Sequence, residues 1–111
     1  MKYKVWVTRR AQIDLQGAAD YISFELFSPA AAEKLLDDFS EKMRELAEYP
    51  EGYSLVTDSV LRSWGIRSIT VSNYLILYTV HKDTVFIVRF LHQRRDWIRL
   101  LRDEKETHDE K

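Results

Sequence analysis

Apolar side chains alternate from Tyr3 to Val7, with Tyr3, Val5 and Val7 on one face and Lys4 and Trp6 on the other, the period of a half-buried strand. Thr8 then offers a hydroxyl to the free N–H groups of a helix starting at Arg9. Ala11, Leu15, Ala18, Ile22 and Leu26 follow at spacings of four, three, four and four, one apolar stripe that carries this helix to about Leu26. Ser28-Pro29 predicts a second start, a capping hydroxyl followed by a residue whose fixed φ suits the first helical position. The second stripe is Ala32, Leu35, Leu36, Phe39, Met43 and Leu46, and Tyr49-Pro50-Glu51-Gly52 stops it because proline cannot continue the ladder. So short a link makes the two helices an antiparallel hairpin.

Residues 51–63 show no clear period and read as a loop. Three β-branched and aromatic runs follow, Trp64 to Val71, Tyr74 to His81 and Thr84 to Leu91, broken at Ser72-Asn73 and Lys82-Asp83. Breaks this short predict tight hairpins and an antiparallel meander. Val85-Phe86-Ile87-Val88 is apolar on both faces, as in a central strand covered on both sides. Arg94 to Leu101 adds a short helix, and Asp103 to Lys111 carries no large apolar residue. The expected class is α+β: an N-terminal strand, an antiparallel helical hairpin, a three-stranded antiparallel meander and a short C-terminal helix. One domain over residues 1–101 and a charged, flexible tail over 102–111 complete the expectation.

The 111 residues are 45% hydrophobic, with only 3 Gly and 2 Pro, a composition rich enough in apolar groups to fold. No apolar run approaches the roughly 18 residues of a membrane span, and the N-terminus lacks a signal-peptide core, so a cytoplasmic protein is expected. Zero cysteines exclude disulfides and thiolate metal sites. With three scattered histidines, neither a metal nor a cofactor is expected. The net charge of −1 conceals a division. Residues 1–61 hold 7 basic against 11 acidic groups, residues 62–102 hold 8 against 2, and residues 103–111 hold 2 against 5. Such asymmetry marks either a surface for an anionic partner or arginines that pair with carboxylates of the helical half.

Glycines at positions 17, 52 and 65 cannot form a phosphate loop, and neither an HExxH helix nor a nucleophile elbow around serine occurs. Candidate chemistry collects at the end of the last strand, in His92-Gln93-Arg94-Arg95-Asp96-Trp97, with Arg62, Arg67, Tyr74, Tyr78 and Arg89 on neighbouring segments. Arginine forks suit phosphate, and histidine exchanges protons near neutrality. One reading is a site that binds or cleaves RNA, with Arg67, His92, Arg94 and Arg95 as catalytic groups and Arg62, Tyr74, Tyr78, Arg89 and Trp97 as binding groups. The other is a strand-to-helix corner in which Asp96 caps or pairs with Arg94 or Arg95 and Trp97 packs on the core.

The ordered string Tyr3-x-Val5-x-Val7-Thr8, Ala11-x-x-Asp14-Leu15, Tyr21-Ile22, Ser28-Pro29, Leu46-x-x-Tyr49-Pro50, Gly65-Ile66-Arg67, Asn73 to Tyr78 and Val88 to Trp97 resembles the RelE/ParE toxins of bacterial type II toxin-antitoxin (plasmid stabilisation) systems. The resemblance implies a growth-arresting toxin encoded beside an antitoxin that wraps it with a helix and an added strand. Trp6, Phe24, Phe27 and Tyr53 are the apolar groups expected to await that cover. Operator DNA would be reached only through the antitoxin complex. RelE-like members cleave mRNA in the ribosome, whereas ParE-like members inhibit DNA gyrase. Cleaving members usually place an arginine directly after the His or Tyr that opens the middle strand, and here Leu75 stands there. Leu91-His92-Gln93-Arg94-Arg95-Asp96 resembles the ParE ending Leu-His-x-Arg-x-Asp, and a pI of 6.3 is low for work inside the polyanionic ribosome. The expectation leans to gyrase inhibition; the alternative is a ribosome-dependent endoribonuclease, the only enzyme reading. An inert relic, or a corepressor at its own operator, is the third class.

Overall fold

Four strands form one sheet with helices on both faces, in a computed structural model that describes residues 2–109, with side chains as far as Glu104. The chain runs β1 (Lys4–Val7), α1 (Arg9–Asp20), a π-helical turn (Tyr21–Glu25), α2 (Pro29–Glu48), α3 (Ser59–Ser63), β2 (Arg67–Val71), β3 (Tyr74–His81), β4 (Thr84–His92) and α4 (Trp97–Asp109). Thr8 caps α1 as its sequence predicts, its hydroxyl oxygen accepting from Ala11 N–H at 3.2 Å. Ser28 precedes Pro29 at the start of α2, but its hydroxyl makes no capping bond there. Among the described residues no helix is long and apolar enough to cross a membrane.

The predicted meander is present, and β1 adds to it in the order β1-β4-β3-β2, parallel to β4 and opposite it from Lys4–Thr84 to Val7–Ile87. A strand apolar on both faces has to be central, and β4 becomes so by acquiring β1 on its outer edge. Both hairpin turns place their first central residue at positive φ, Ser72 at 55° and Lys82 at 55°, the position where tight hairpins of this kind usually use glycine. Each strand face has its own core. Ala11, Ala18, Leu35, Phe39 and Leu46 of the hairpin pack on Ile69, Ile76, Tyr78, Ile87 and Phe90. On the other face, Leu61, Ile66, Leu75, Leu77, Leu91 and Leu101 form a second core beneath α3 and α4.

Helix α3 lies within the stretch expected to be a loop. Asp58 accepts from Leu61 N–H at 3.0 Å as its cap. Gly65, at φ 79°, closes it by donating to Arg62 O while Ile66 N–H donates to Leu61 O, the paired bonds of a left-handed helix end. Five residues are too few for an apolar period, but Asp58 and Gly65 are the start and stop signals that mark them. Helix α4 also passes the expected domain end at residue 101, because Arg102 pairs with Asp58 at 2.6 Å and Glu104 pairs with Arg89. The flexibility expected of the rest of the tail falls on side chains outside the described residues.

The π-helical turn changes which side chains are buried. Its wider turn shifts the stripe after Ile22, so Leu26, expected on the buried face, is 55% exposed. Leu36, at the margin of the second stripe, is partly exposed as well.

Strand β1 ends at Val7, so the outer edge of β4 would lie open from Val88 onward, and α1 seals it with side chains. Thr8 Oγ1 donates to Val88 O at 3.3 Å, and Asp14 Oδ2 accepts from Phe90 N–H at 3.0 Å. The same carboxylate takes both prongs of Arg89, at 2.6 and 3.0 Å, and the third guanidinium nitrogen reaches Glu104 of α4. The side chain of Arg89 is 4% exposed and that of Asp14 10%. Burial by itself would push the Arg89 guanidinium down, and the two carboxylates more than reverse it, so its pKa is raised. Asp14→Ala leaves a buried cation and an orphan N–H, and a loss of about 3–5 kcal/mol is expected in urea unfolding. Replacing Asp14 and Arg89 together by leucine and methionine should cost markedly less than Asp14→Ala.

Candidate functional site

The predicted cluster forms a rigid corner between β4 and α4. His92 lies opposite Tyr74 of β3, whose ring stacks on Phe90 at 5.0 Å and meets the His92 ring edge-on at 5.1 Å. Burial raises the Tyr74 phenol pKa, with a smaller contribution from Tyr21. Beyond His92 the backbone is pinned by four bonds: Gln93 N–H to Asn73 O (2.9 Å), Arg94 N–H to His92 Nδ1 (3.1 Å), Arg95 N–H to His92 O (3.0 Å) and Trp97 N–H to Arg95 O (2.8 Å). Because Nδ1 accepts, the neutral ring carries its proton on Nε2. Asp96 accepts from Arg99 N–H at 3.4 Å as the cap of α4, and Trp97 packs on the second core. The corner therefore has the capping and packing roles expected of Asp96 and Trp97. The ion pair from Asp96 to Arg94 or Arg95 does not form, and both arginines stand exposed without a side-chain partner among the described residues.

The other candidates do not join them. Arg67 Nη1 donates to Tyr53 O at 2.6 Å. It lies opposite Tyr78, four residues along β3 from Tyr74, and two strands from β4. Ladder geometry then puts it about 13 Å along and about 10 Å across from His92. Tyr78 is fully buried, donating to Pro50 O at 2.7 Å, and Arg89 is consumed by Asp14 and Glu104. Each of these two expected binding groups spends its polar atoms on the fold. Arg62 is exposed on α3. Tyr53, expected to await a partner, is half-buried, its hydroxyl donating to Glu45 at 2.9 Å. That bond, followed by Lys42, lowers the Glu45 pKa, while Glu45 and then Tyr53 raise that of Lys42.

Comparison with known proteins matches residues 5–97 to the family described as ParE toxin of type II toxin-antitoxin system, parDE. The chain belongs to this toxin family. Toxin RelE2 of Caulobacter vibrioides is 39% identical to it over 95 residues, which are 86% of this chain and 99% of that protein. Two solved structures share the fold at 22% identity each. A chain of the chromosomal ParDE system from P. aeruginosa has a TM-score of 0.67 over 82% of this chain and 96% of its own. A chain of the RelBE2 toxin-antitoxin complex from Mycobacterium tuberculosis has 0.52 over 83% and 99%. These folds agree with the α+β architecture expected from the sequence.

In the toxin, Leu75 is buried on the α4 face, where its cross-strand partner is Thr70 and Trp97 packs into the same core. A recess of about 550 Å³ beside them is lined by Ser54, Thr57, Ser68, Thr70 and Trp97. Its basic group, Lys42, is committed to Glu45. The toxin also exposes large apolar groups. Trp6, Phe24 and Phe27 are open as expected, and Ile13, Tyr21, Leu26 and Tyr49 join them. Ile13, Phe24 and Phe27 lie off the apolar stripe, the signal by which the sequence marks outward positions. Phe27 is 86% exposed at φ 54°, a conformation that costs an aromatic residue energy and holds it outward.

Burial pushes the Tyr78 pKa up to about 12. Its folded value lies above the ordinary tyrosine value of about 10, so its contribution to stability is complete below about pH 10 and is lost as pH rises through about 12. Urea midpoints followed across that window should fall in the wild type. Tyr78→Phe should remove this component of the fall while costing about 1–2 kcal/mol at neutral pH, because Pro50 O loses its donor.

Proposed function

We propose that the toxin arrests growth in the cytoplasm by binding DNA gyrase and blocking it, and that a cognate antitoxin silences it. The observation that carries this reading is the separation of Arg67 from the corner that holds His92, Arg94 and Arg95. A cleaving site needs an acid or base and a cationic group converging on one phosphate. Here Arg67 and His92 lie far apart, no carboxylate pairs with His92 among the described residues, and Leu75 places a buried alkyl group where cleaving members carry an arginine. The match to the ParE model supports the same side of the family's division. Identity to a relative named Toxin RelE2 favours the runner-up, ribosome-dependent mRNA cleavage.

The antitoxin part rests on the exposed apolar groups Trp6, Ile13, Phe24 and Phe27, which leave more apolar surface open than a small monomer needs. The solved neighbours are toxin-antitoxin systems, which supports a covering segment of that kind. Operator DNA is then reached through the antitoxin.

Toxin added in stoichiometric excess should stop purified gyrase from supercoiling relaxed plasmid, and unaffected supercoiling would sink the proposal. In cells, DNA synthesis should fall before protein synthesis after induction without antitoxin; the reverse order selects the ribosome. His92→Ala should arrest growth within about threefold of wild type, whereas loss of a true acid–base group costs roughly 100- to 10,000-fold.

A further inference from the structure

Helices α3 and α4 cover only part of the second sheet face. Val5 and Val7 pack into the hairpin core, so strand alternation turns Lys4 and Trp6 to the other face. There Trp6 lies opposite Phe86, and Phe86 opposite Thr79. Thr79 lines a recess of about 520 Å³ together with Trp64, Ile66, Val88 and Leu101, and Trp6, 63% exposed, extends that apolar surface across β4. Charge at the α4 edge of the recess is settled, because Glu104 is shared by Arg10 and Arg89 and Asp14 completes Arg89. Lys82 and Asp83 offset each other at the β3–β4 turn. What remains is basic: Lys4, on the Trp6 face, and Arg62, two residues before Trp64, are exposed and pair with no carboxylate among the described residues.

The tip of the helical hairpin carries the complement. From Ala11 to Glu33 the chain has no lysine or arginine. The tip presents Tyr21, Phe24, Leu26 and Phe27 to solvent, with the exposed acids Asp20 and Glu25 among them. Within one molecule the two surfaces cannot meet. Thr8 lines the recess, and Phe24 stands 16 residues further along helical backbone, roughly 20 Å away at about 1.5 Å per residue. The hairpin also packs on the opposite face of the sheet.

We propose that the hairpin tip of one copy docks in the recess of a second copy, so that the toxin without its antitoxin associates head to tail. Apolar surface meets apolar surface, and Asp20 and Glu25 arrive at a margin that holds Lys4 and Arg62. The two docking surfaces differ, so each bound copy leaves one tip and one recess open and association can extend. Aromatic side chains bury about 150–250 Å² each, so Tyr21, Phe24, Phe27 and the Trp6 they meet supply the scale of a weak, concentration-dependent contact. Self-association of this kind is independent of whether gyrase or the ribosome is the target.

Sedimentation velocity of the antitoxin-free chain across micromolar concentrations should show an average mass that rises with concentration and falls back as salt is added. Phe24→Asp/Phe27→Asp spoils the tip, and aspartate tolerates the left-handed backbone at position 27. Lys4→Glu/Trp6→Glu turns the recess margin acidic. All four positions are exposed, so thermal unfolding should stay close to wild type. Each double variant alone should remain monomeric, its dissociation constant raised at least about tenfold. Mixed one to one, the two variants should form a dimer that grows no further, because the first lends its recess and the second its tip. A wild-type chain that stays monomeric throughout overturns the proposal and leaves the recess to another occupant, such as the antitoxin. Self-association that persists in Lys4→Glu/Trp6→Glu means tip-to-tip pairing and overturns it as well, as does failure of the two variants to pair.

Discussion

The carboxylate of Asp14 is the point on which the arrangement of the toxin turns. Strand β1 covers β4 only as far as Ile87, and from there the backbone of the central strand would face solvent. Asp14 takes the Phe90 N–H that a longer β1 would have taken, and binds both prongs of Arg89. Through the remaining nitrogen, Arg89 holds Glu104 on the other side of the sheet. One buried ion cluster thus fixes α1 against the edge of β4 and α4 against its far face. A hydrogen-bonded, multiply paired cation is tolerable in a core; a cation missing one of these partners is not.

Helices are pinned to both faces of the sheet, and much of the surface character is decided at the ends of elements. The hairpin end carries aromatics that the π-helical turn and the left-handed Phe27 hold outward. The β4–α4 corner carries the arginines that the ion cluster leaves unused. The acidic and basic halves of the chain meet where Asp14 takes the buried Arg89 and Asp58 takes the partly exposed Arg102.

Both sequence readings of the basic half hold in part. Arg89 and Arg102 pair with carboxylates of the helical half, while Arg94 and Arg95 remain on the surface. Composition could not sort them, since all four are arginines in one 14-residue stretch and differ only in what long-range neighbours approach them. The candidate site was legible to the same extent. The turn His92 to Trp97 is local and was readable as a corner, but whether Arg67 reaches it depends on strand register and on the Tyr53 carbonyl that the preceding loop delivers.

Elements and ends were written in the sequence because they depend on near neighbours. Alternation gave β1, four-residue spacing gave α1 and α2, and Thr8 and Pro50 set helix limits through groups a few residues away. Even α3 was marked, by Asp58 and Gly65, though too short for a period. Only the tertiary structure decided that β1 lies parallel against β4, that Leu26 turns outward and that Arg89 is buried rather than free. The physical reason is range: Asp14 and Arg89 are 75 residues apart, and no local pattern records which distant carboxylate will reach a given arginine once the sheet closes around it.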